Sequence, residues 1–327
     1  MKHIMKKIIT GFLCLFFIVT INFFLPRLLP GDPVLMLTGM DEDAISEAKY
    51  ESYKEKLGVD RPIGEQFVDY IKGLMKGDLG YSYHFNDDVS NIILRRIPNT
   101  LQIAIPTVIL SSIIALIWGS IAGYRENKLL DNISTTIAII VNAIPGFVLA
   151  MLMVTVFAFK LRIFPLGGLN SINIPEGILS AFLDRVRHLI LPVLTLTIAS
   201  VPGKYILVRN TVSAAKKDKY VMYAKARGIS EIRVIFAHIL KNICGPFITI
   251  VGLQIGFIIS GSMICETIFS IKGMGSLIYQ ATASRDYPTM QGCLFVTALA
   301  VVIATIITDI ICISIDPRVR SGIYEEA

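Results

Sequence analysis

Apolar and polar positions alternate along this chain on a coarse scale, in apolar blocks of about twenty residues separated by charged stretches. A helix needs about 20 apolar residues to cross a hydrocarbon core of about 30 Å, because each residue rises only about 1.5 Å. Six blocks meet that length, at residues 8–29, 101–123, 133–159, 189–208, 243–265 and 293–315. The second and third contain no charge, and Pro145-Gly146 interrupts the middle of the third. The fourth is weakened by Pro192, Pro202 and Lys204, and the sixth encloses Asp309. The pattern predicts an all-α membrane protein with six transmembrane helices.

The first block follows the basic Met1-Lys-His-Ile-Met-Lys-Lys7. It is too long for the apolar centre of a cleaved signal peptide, and no small-residue cleavage site follows, so residues 1–30 read as a retained signal-anchor helix. Residues 31–100 then form a sizeable loop region, 101–315 carry the other five helices, and 316–327 are a tail. Lysines and arginines in the connections decide sidedness. Segment 209–242 carries Arg209, Lys216, Lys217, Lys219, Lys225, Arg227, Arg233 and Lys241 against Asp218 and Glu231. That excess, 8 − 2 = +6, equals the net charge of the whole chain. Arg125, Lys128, Arg318 and Arg320 fall on the same side if all six blocks span, whereas segment 31–100 has thirteen acids against eight bases. Both termini are therefore expected in the cytoplasm, with the acidic segment outside. The basic balance is accounted for by topology, and no nucleic-acid partner is expected.

Composition agrees: 54% of residues are hydrophobic, and charged residues are 17% against the usual quarter. With a mean hydropathy of +0.64, the chain has too few polar residues for a water-soluble shell. Cys14, Cys244, Cys265, Cys293 and Cys312 all lie in apolar runs without a CxxC pair, so they read as small buried hydrophobes. The acidic segment is too short for a substantial core of its own. Its stretch 41–57 is polar and helix-prone, with Glu51 and Glu55 in reach of Lys54 and Lys56, Gly58 placed to end the helix, and Pro62 following. It reads either as a solvated cap on the spans or as a docking surface for an external partner.

Catalytic patterns are missing. The chain has no GxxxxGK[ST], HExxH or GxSxG, and Gly203-Lys204 lacks the upstream glycine of a phosphate loop. His3, His84, His188 and His238 have no metal-ligand spacing, so no metal site and no bound cofactor are expected. A secondary transporter would show an internal repeat and an ionisable relay in mid-membrane. Neither is visible.

The segment from Lys219 to Asn242 is different in kind. Tyr220, Tyr223, Ala224 and Arg227 fall at i, i+3, i+4 and i+7, one face of a helix. Ala224 and Ala226 keep that surface low, Gly228 can close the helix in a left-handed conformation, and Ser230 can cap the next helix with Glu231 in its first turn. A short helix with small residues suits insertion into a cleft on another protein. A basic amphipathic helix lying on anionic lipid fits the same pattern.

Tyr220-Val-Met-Tyr-Ala-Lys-Ala-Arg-Gly228 resembles the coupling-loop signature of ABC-transporter permeases, in the branch that imports dipeptides, oligopeptides and nickel. The resemblance covers nearly the whole chain. Leu29-Pro-Gly-Asp-Pro33, Leu57-Gly-Val-Asp-Arg-Pro62, Gly77-Asp-Leu-Gly-Tyr-Ser82, His188-Leu-Ile-Leu-Pro192, Glu266-Thr-Ile-Phe-Ser270, Gly273-Met-Gly275, Ser284-Arg-Asp-Tyr-Pro288 and Asp316-Pro-Arg318 occur in the family's order. Against the general permease signature the chain keeps Ala224, Gly228 and Leu240 but has Met222, Tyr223, His238 and Lys241 elsewhere, so a carboxylate contact at position 222 is not carried over.

The resemblance implies a type I importer permease of six helices, with a cytoplasmic coupling helix, in a bacterial or archaeal cytoplasmic membrane. It implies pairing with a second homologous permease, two ATP-binding subunits that hold ATP and magnesium, and an external substrate-binding protein. Ala224, Ala226 and Gly228 would seat the coupling helix in an ATPase cleft, with Tyr220, Tyr223 and Arg227 around it. Pro145-Gly146 would serve the pathway or be a passive kink. Glu266 and Asp286, at the outer mouth, would serve docking, a gate or ordinary loop structure. Asp309 would cost roughly 2.5–3.5 kcal/mol facing lipid at the bilayer centre, which favours a structural role between helices. Peptides are the expected cargo, with nickel or a metal chelate as the alternative.

Overall fold

The computed structural model describes residues 2–28, 32, 34–35, 46–173 and 176–315. The tail with Arg318 and Arg320, most of the Leu29 to Pro33 motif, and residues 41–45 lie outside the described residues. The chain begins with α1 (Lys2–Leu28), α2 (Glu47–Leu57) and α3 (Ile63–Met75), then a short antiparallel hairpin of β1 (Tyr81–Ser82) and β2 (Asp87–Asp88). Next come α4 (Val89–Tyr124), α5 (Leu129–Ala143) and α6 (Gly146–Met153), which continues as a π-helical segment (Val154–Lys160). α7 (Ile178–Ala215), α8 (Lys219–Ala226) and α9 (Glu231–Arg233) follow, the last continuing as a second π-helical segment (Val234–Ile239). α10 (Leu240–Gly261), α11 (Met263–Ile268), α12 (Met274–Ala283) and α13 (Tyr287–Ile315) complete the order.

Among the described residues four helices are long and apolar enough to cross a membrane: α1, α4, α7 and α13. Two bent pairs bring the number to six if each is one span. α5 and α6 with its π-helical extension meet at 97°, and Glu231–Ile239 meets Ile243–Ile255 at 67°. The first bend has a local cause. Ile144 is extended (φ −80°, ψ 121°) because proline disfavours the helical region for the residue before it, and Pro145 itself has no N–H to continue the ladder. Pro145-Gly146 therefore ends one helix and starts another. The second bend falls where π-helical and α-helical segments join, close before Pro246.

Several helices outrun their apolar blocks. α4 begins at Val89, not 101, and α7 has 38 residues, about 57 Å of helix. The first turns of α7 are polar but anchored. Asp184 accepts from the Ser171 N–H (2.8 Å) and hydroxyl (2.6 Å), and Arg185 Nε donates to Gln102 Oε1 at 2.8 Å. The expected fifth span is divided, since α10 ends at Gly261 and α11 starts at Met263.

The chain forms two compact units. The first comprises Met1–Thr100, Ile259–Met263 and Lys272–Val302. Within it Phe23, fully buried, meets Phe24, Phe67 and Tyr70 ring to ring, and Arg27 binds Gln66 through Nε and Nη2. Val89, Ile92, Ile93, Met274, Leu277 and Cys293 form its apolar core. Gly58 ends α2 in a left-handed conformation (φ 60°), as its position predicts, but Lys54 pairs with Asp60 beyond that end. The second unit comprises Leu101–Ile258, Ile264–Ile271 and Ile303–Ala327. One of its cores surrounds Leu191, Cys265 and Phe269, and another joins Tyr124, Val208 and Val212 to Val221 and Ala224 of α8. Cys265, Cys293 and Cys312 are buried and Cys244 is half-buried, while Cys14 sits exposed on α1.

Candidate coupling interface

α8 is the short helix read from the sequence, and its ending follows from backbone chemistry. Gly228 adopts φ 74°, its N–H bonds to the Lys225 carbonyl (2.9 Å), and the Ile229 N–H reaches back to the Ala224 carbonyl (3.2 Å). These two bonds are a Schellman turn, and Ile229 packs on the same core as Ala224. Ser230 stands at the start of α9 without a side-chain capping bond, and Glu231 occupies the first turn.

The face of α8 divides differently from the i, i+3, i+4, i+7 reading. Val221 and Ala224 are buried against the chain's own core, and Tyr220 is half-buried. Ala224 thus fixes the helix to its own chain and is not free to seat it elsewhere. Tyr223 (70% exposed), Met222 (63%), Ala226 and Arg227 point away from that core. The side chains left for a partner therefore include Met222, Tyr223, Ala226 and Arg227.

The footing of α8 is a polar and aromatic joint that sequence spacing did not reveal. Asp131, 1% exposed, receives Arg209 Nε at 2.9 Å and Nη2 at 2.6 Å. The Asn127 N–H (2.9 Å) and Thr135 hydroxyl (3.3 Å) complete its shell. Tyr205 donates to Ser134 at 2.9 Å and lies 3.1 Å from the Thr135 hydroxyl. α4 and α7 approach so closely that a Cβ on Gly123 would lie 2.3 Å from the Arg209 carbonyl oxygen, and one on Gly119 3.0 Å from that of Tyr205. Gly119 and Gly123 form a G-x-x-x-G pair, the signal by which this crossing could have been found. Lys225 of α8 and Lys216 stand 4.8 and 5.4 Å from the centre of the Tyr124 ring, which ties α8 to the end of α4. In the turn after α4, a hydrogen bond from Ser213 to the Glu126 carboxyl, and then the positive charges of Lys217, Arg209 and Lys216, hold that carboxyl below its ordinary value.

The other candidates do not gather into one site. Pro145 and Gly146 are exposed at the α5–α6 break, and a Cβ on Gly146 would meet nothing within 4 Å. Glu266 is fully buried in α11, within the second unit. Asp286, in the first unit, is 1% exposed. It accepts from Ser82 Oγ (2.5 Å), the Thr289 N–H (3.2 Å) and Thr289 Oγ1 (2.6 Å). It caps α13 and pins the β1 strand, a structural use of the side chain. Asp309 is half-buried on α13, next to Thr308, whose hydroxyl would lie 1.8 Å from a Cβ on Gly252 of α10. Among the described residues no three His, Cys, Asp or Glu side chains are grouped to hold a metal.

A mostly helical protein with several helices long and apolar enough to cross a membrane and a short helix in a basic loop between them has the form of a multi-pass transporter subunit. Residues 115–321 match the family model described as binding-protein-dependent transport system inner membrane component, and residues 1–104 match the model for the N-terminal part of such components. The chain belongs to this family. It is similar to the oligopeptide transport system permease protein AppB of Bacillus subtilis, at 32% identity over 97% of this chain and 99% of that one. It also resembles the di/tripeptide transport system permease protein DppB of Pseudomonas aeruginosa (31%, covering 93% and 95%) and the glutathione transport system permease protein GsiC of Escherichia coli (30%, covering 98% and 99%).

Proposed function

We propose that this chain is one of two permease subunits of an ATP-driven importer of peptides, and that α8 is the helix by which an ATP-binding subunit moves it. Full-length similarity to relatives named for oligopeptides, di- and tripeptides and glutathione supports peptides over nickel or a metal chelate. The observation that carries the coupling role is the division of α8. Val221 and Ala224 bind it to the chain's core, and Met222 and Tyr223 remain exposed on the opposite face. A helix fastened on one side and bare on the other passes a push from a partner to the helices it is fastened to. Two ATP-binding subunits holding ATP and magnesium, a second permease and an external binding protein complete the assembly. The basic segment 209–242 and both termini lie in the cytoplasm on this reading, which the lysine and arginine asymmetry supports.

Purification of the tagged chain from a mild detergent extract tests the assignment. The expected result is co-purification of two P-loop ATPases and a second permease, with transport-coupled ATP hydrolysis lost in Gly228→Pro. That substitution cannot reach φ 74° and removes the N–H that bonds to Lys225. A solitary protein that moves solute without ATP overturns the reading.

A further inference from the structure

Lys204 has no place in the coupling role, yet it is chemically the most conspicuous side chain of α7. It is 3% exposed, inside a helix apolar enough to span a membrane. Its ammonium carries three donors. It donates to Ser111 Oγ at 2.5 Å and Ser112 Oγ at 3.3 Å, both on α4, and forms no ion pair with a carboxylate among the described residues. The Ser111 hydroxyl in turn donates a hydrogen bond to the Thr107 carbonyl. Arg209, five residues further along the same helix, is by contrast matched in charge and geometry by Asp131. A buried cation held by hydroxyls alone lacks the counter-charge that makes burial tolerable.

Two more buried polar atoms share this region without a hydrogen-bond partner: Thr107 Oγ1 (residue 0% exposed) and Thr197 Oγ1 (2%). Thr107 lies one turn before Ser111 on the same face of α4, and Thr197 two turns before Lys204 on the same face of α7. The contacts Gln102–Arg185 and Gly123–Arg209 set the two helices parallel, with an offset that brings Ser111 level with the turn of Thr197. Spare donors from a cation and two hydroxyls thus lie within about one helical turn of each other along one crossing. Their chemistry fits a monoanion with two acceptor oxygens, a carboxylate.

We propose that Lys204, steadied by Ser111 and Ser112, forms with the hydroxyls of Thr107 and Thr197 a carboxylate site between α4 and α7 that receives the free C-terminus of a peptide in transit. The inference rests on the peptide reading above. α7 has a built-in point of opening beside the site. Pro202 removes a backbone bond two residues earlier, and Gly203 has no atom within 4 Å of where its Cβ would be. A carboxylate that meets the ammonium only when this point opens shifts the population toward the open state by its preference for that state.

The test uses the assembled transporter in vesicles with its own binding protein, comparing uptake of trialanine with uptake of its C-terminal amide. In Lys204→Met, trialanine uptake should fall about tenfold with amide uptake little changed, and Lys204→Arg should recover most of it, since a charge-assisted bond is what is lost. Because one binding protein serves all variants, its own preference cancels in the acid-to-amide ratio. An unchanged ratio, whether both substrates are moved normally or both fall together, overturns the carboxylate site and leaves the peptide reading standing. Wild-type vesicles that move neither form overturn the peptide reading itself and the site with it. In a second measurement acetate should raise the Tm of the purified wild type and not of Lys204→Met. A rise in both variants, or in neither, counts against the site.

Discussion

The joint beneath α8 and the joint at Asp286 are built from similar parts and put to opposite uses. Each has a buried carboxylate within reach of several donors near the end of a long helix. At Asp286 the donors come from its own cap and from Ser82, so the carboxylate secures a turn. At Asp131 the donors include Arg209, and the secured helices carry α8, whose outward residues Met222 and Tyr223 are left without an intramolecular role. A candidate residue is therefore judged by what remains unspent. Asp286, an attractive gate residue in the sequence, is consumed by structure, and Tyr223 is not.

The largest expected effect breaks the joint beneath α8 outright. Asp131→Ala leaves Arg209 without its counter-charge and should cost about 3 kcal/mol or more, read as loss of folded, assembled complex and a lower Tm. An unaltered Tm would mean that the ion pair is dispensable and that α8 rests on apolar packing alone. Next come paired substitutions on α8. Ala224→Asp buries an unpaired charge and should destabilise the chain by several kcal/mol. Tyr223→Asp on the exposed face should leave stability within about 0.5 kcal/mol yet abolish retention of the ATP-binding subunits. If the two variants behave alike in stability and in subunit retention, the division of α8 into an inner and an outer face is wrong.

Asp286→Ala should cost about 1–2 kcal/mol through the lost cap and the bond to Ser82. The number of ATP molecules hydrolysed per substrate moved should stay at the wild-type value, and an altered ratio would restore Asp286 as a gate residue. The smallest effect concerns Glu126, whose carboxyl is held below its ordinary value in the fold. A depressed carboxylate contributes fully above its unfolded value, and that contribution is lost as pH falls through the folded value. Wild-type Tm should therefore fall slightly more steeply than that of Glu126→Gln as pH drops below the ordinary carboxylate range, and parallel curves would remove Glu126 from the joint.

Much of the architecture was legible because it follows from local chemistry. Apolar runs of span length mark the segments in which spanning helices or bent pairs occur, and the turns at Gly58 and Gly228 were readable from single glycines at the right distance past a helix. The same reading stopped short at helix ends. Hydropathy senses apolar content, whereas the first turns of α7 persist through partners such as Gln102 and Ser171, 83 and 13 residues away. It also turned Ala224 outward, since periodicity locates a face but not the side that meets the core.

By itself the sequence determined that this is a helical membrane protein, where its spanning segments fall, and which short helix stands apart from them. Those properties depend on side-chain polarity and backbone preference within a few residues. Only the tertiary structure decided that Asp131 meets Arg209 across 78 residues, that Asp286 meets Ser82 across 204, and that Lys204 is left with hydroxyls. Each depends on the register between elements far apart in the chain. Register is set by whole packed surfaces, such as the close approach at Gly119 and Gly123, which no short window of sequence contains.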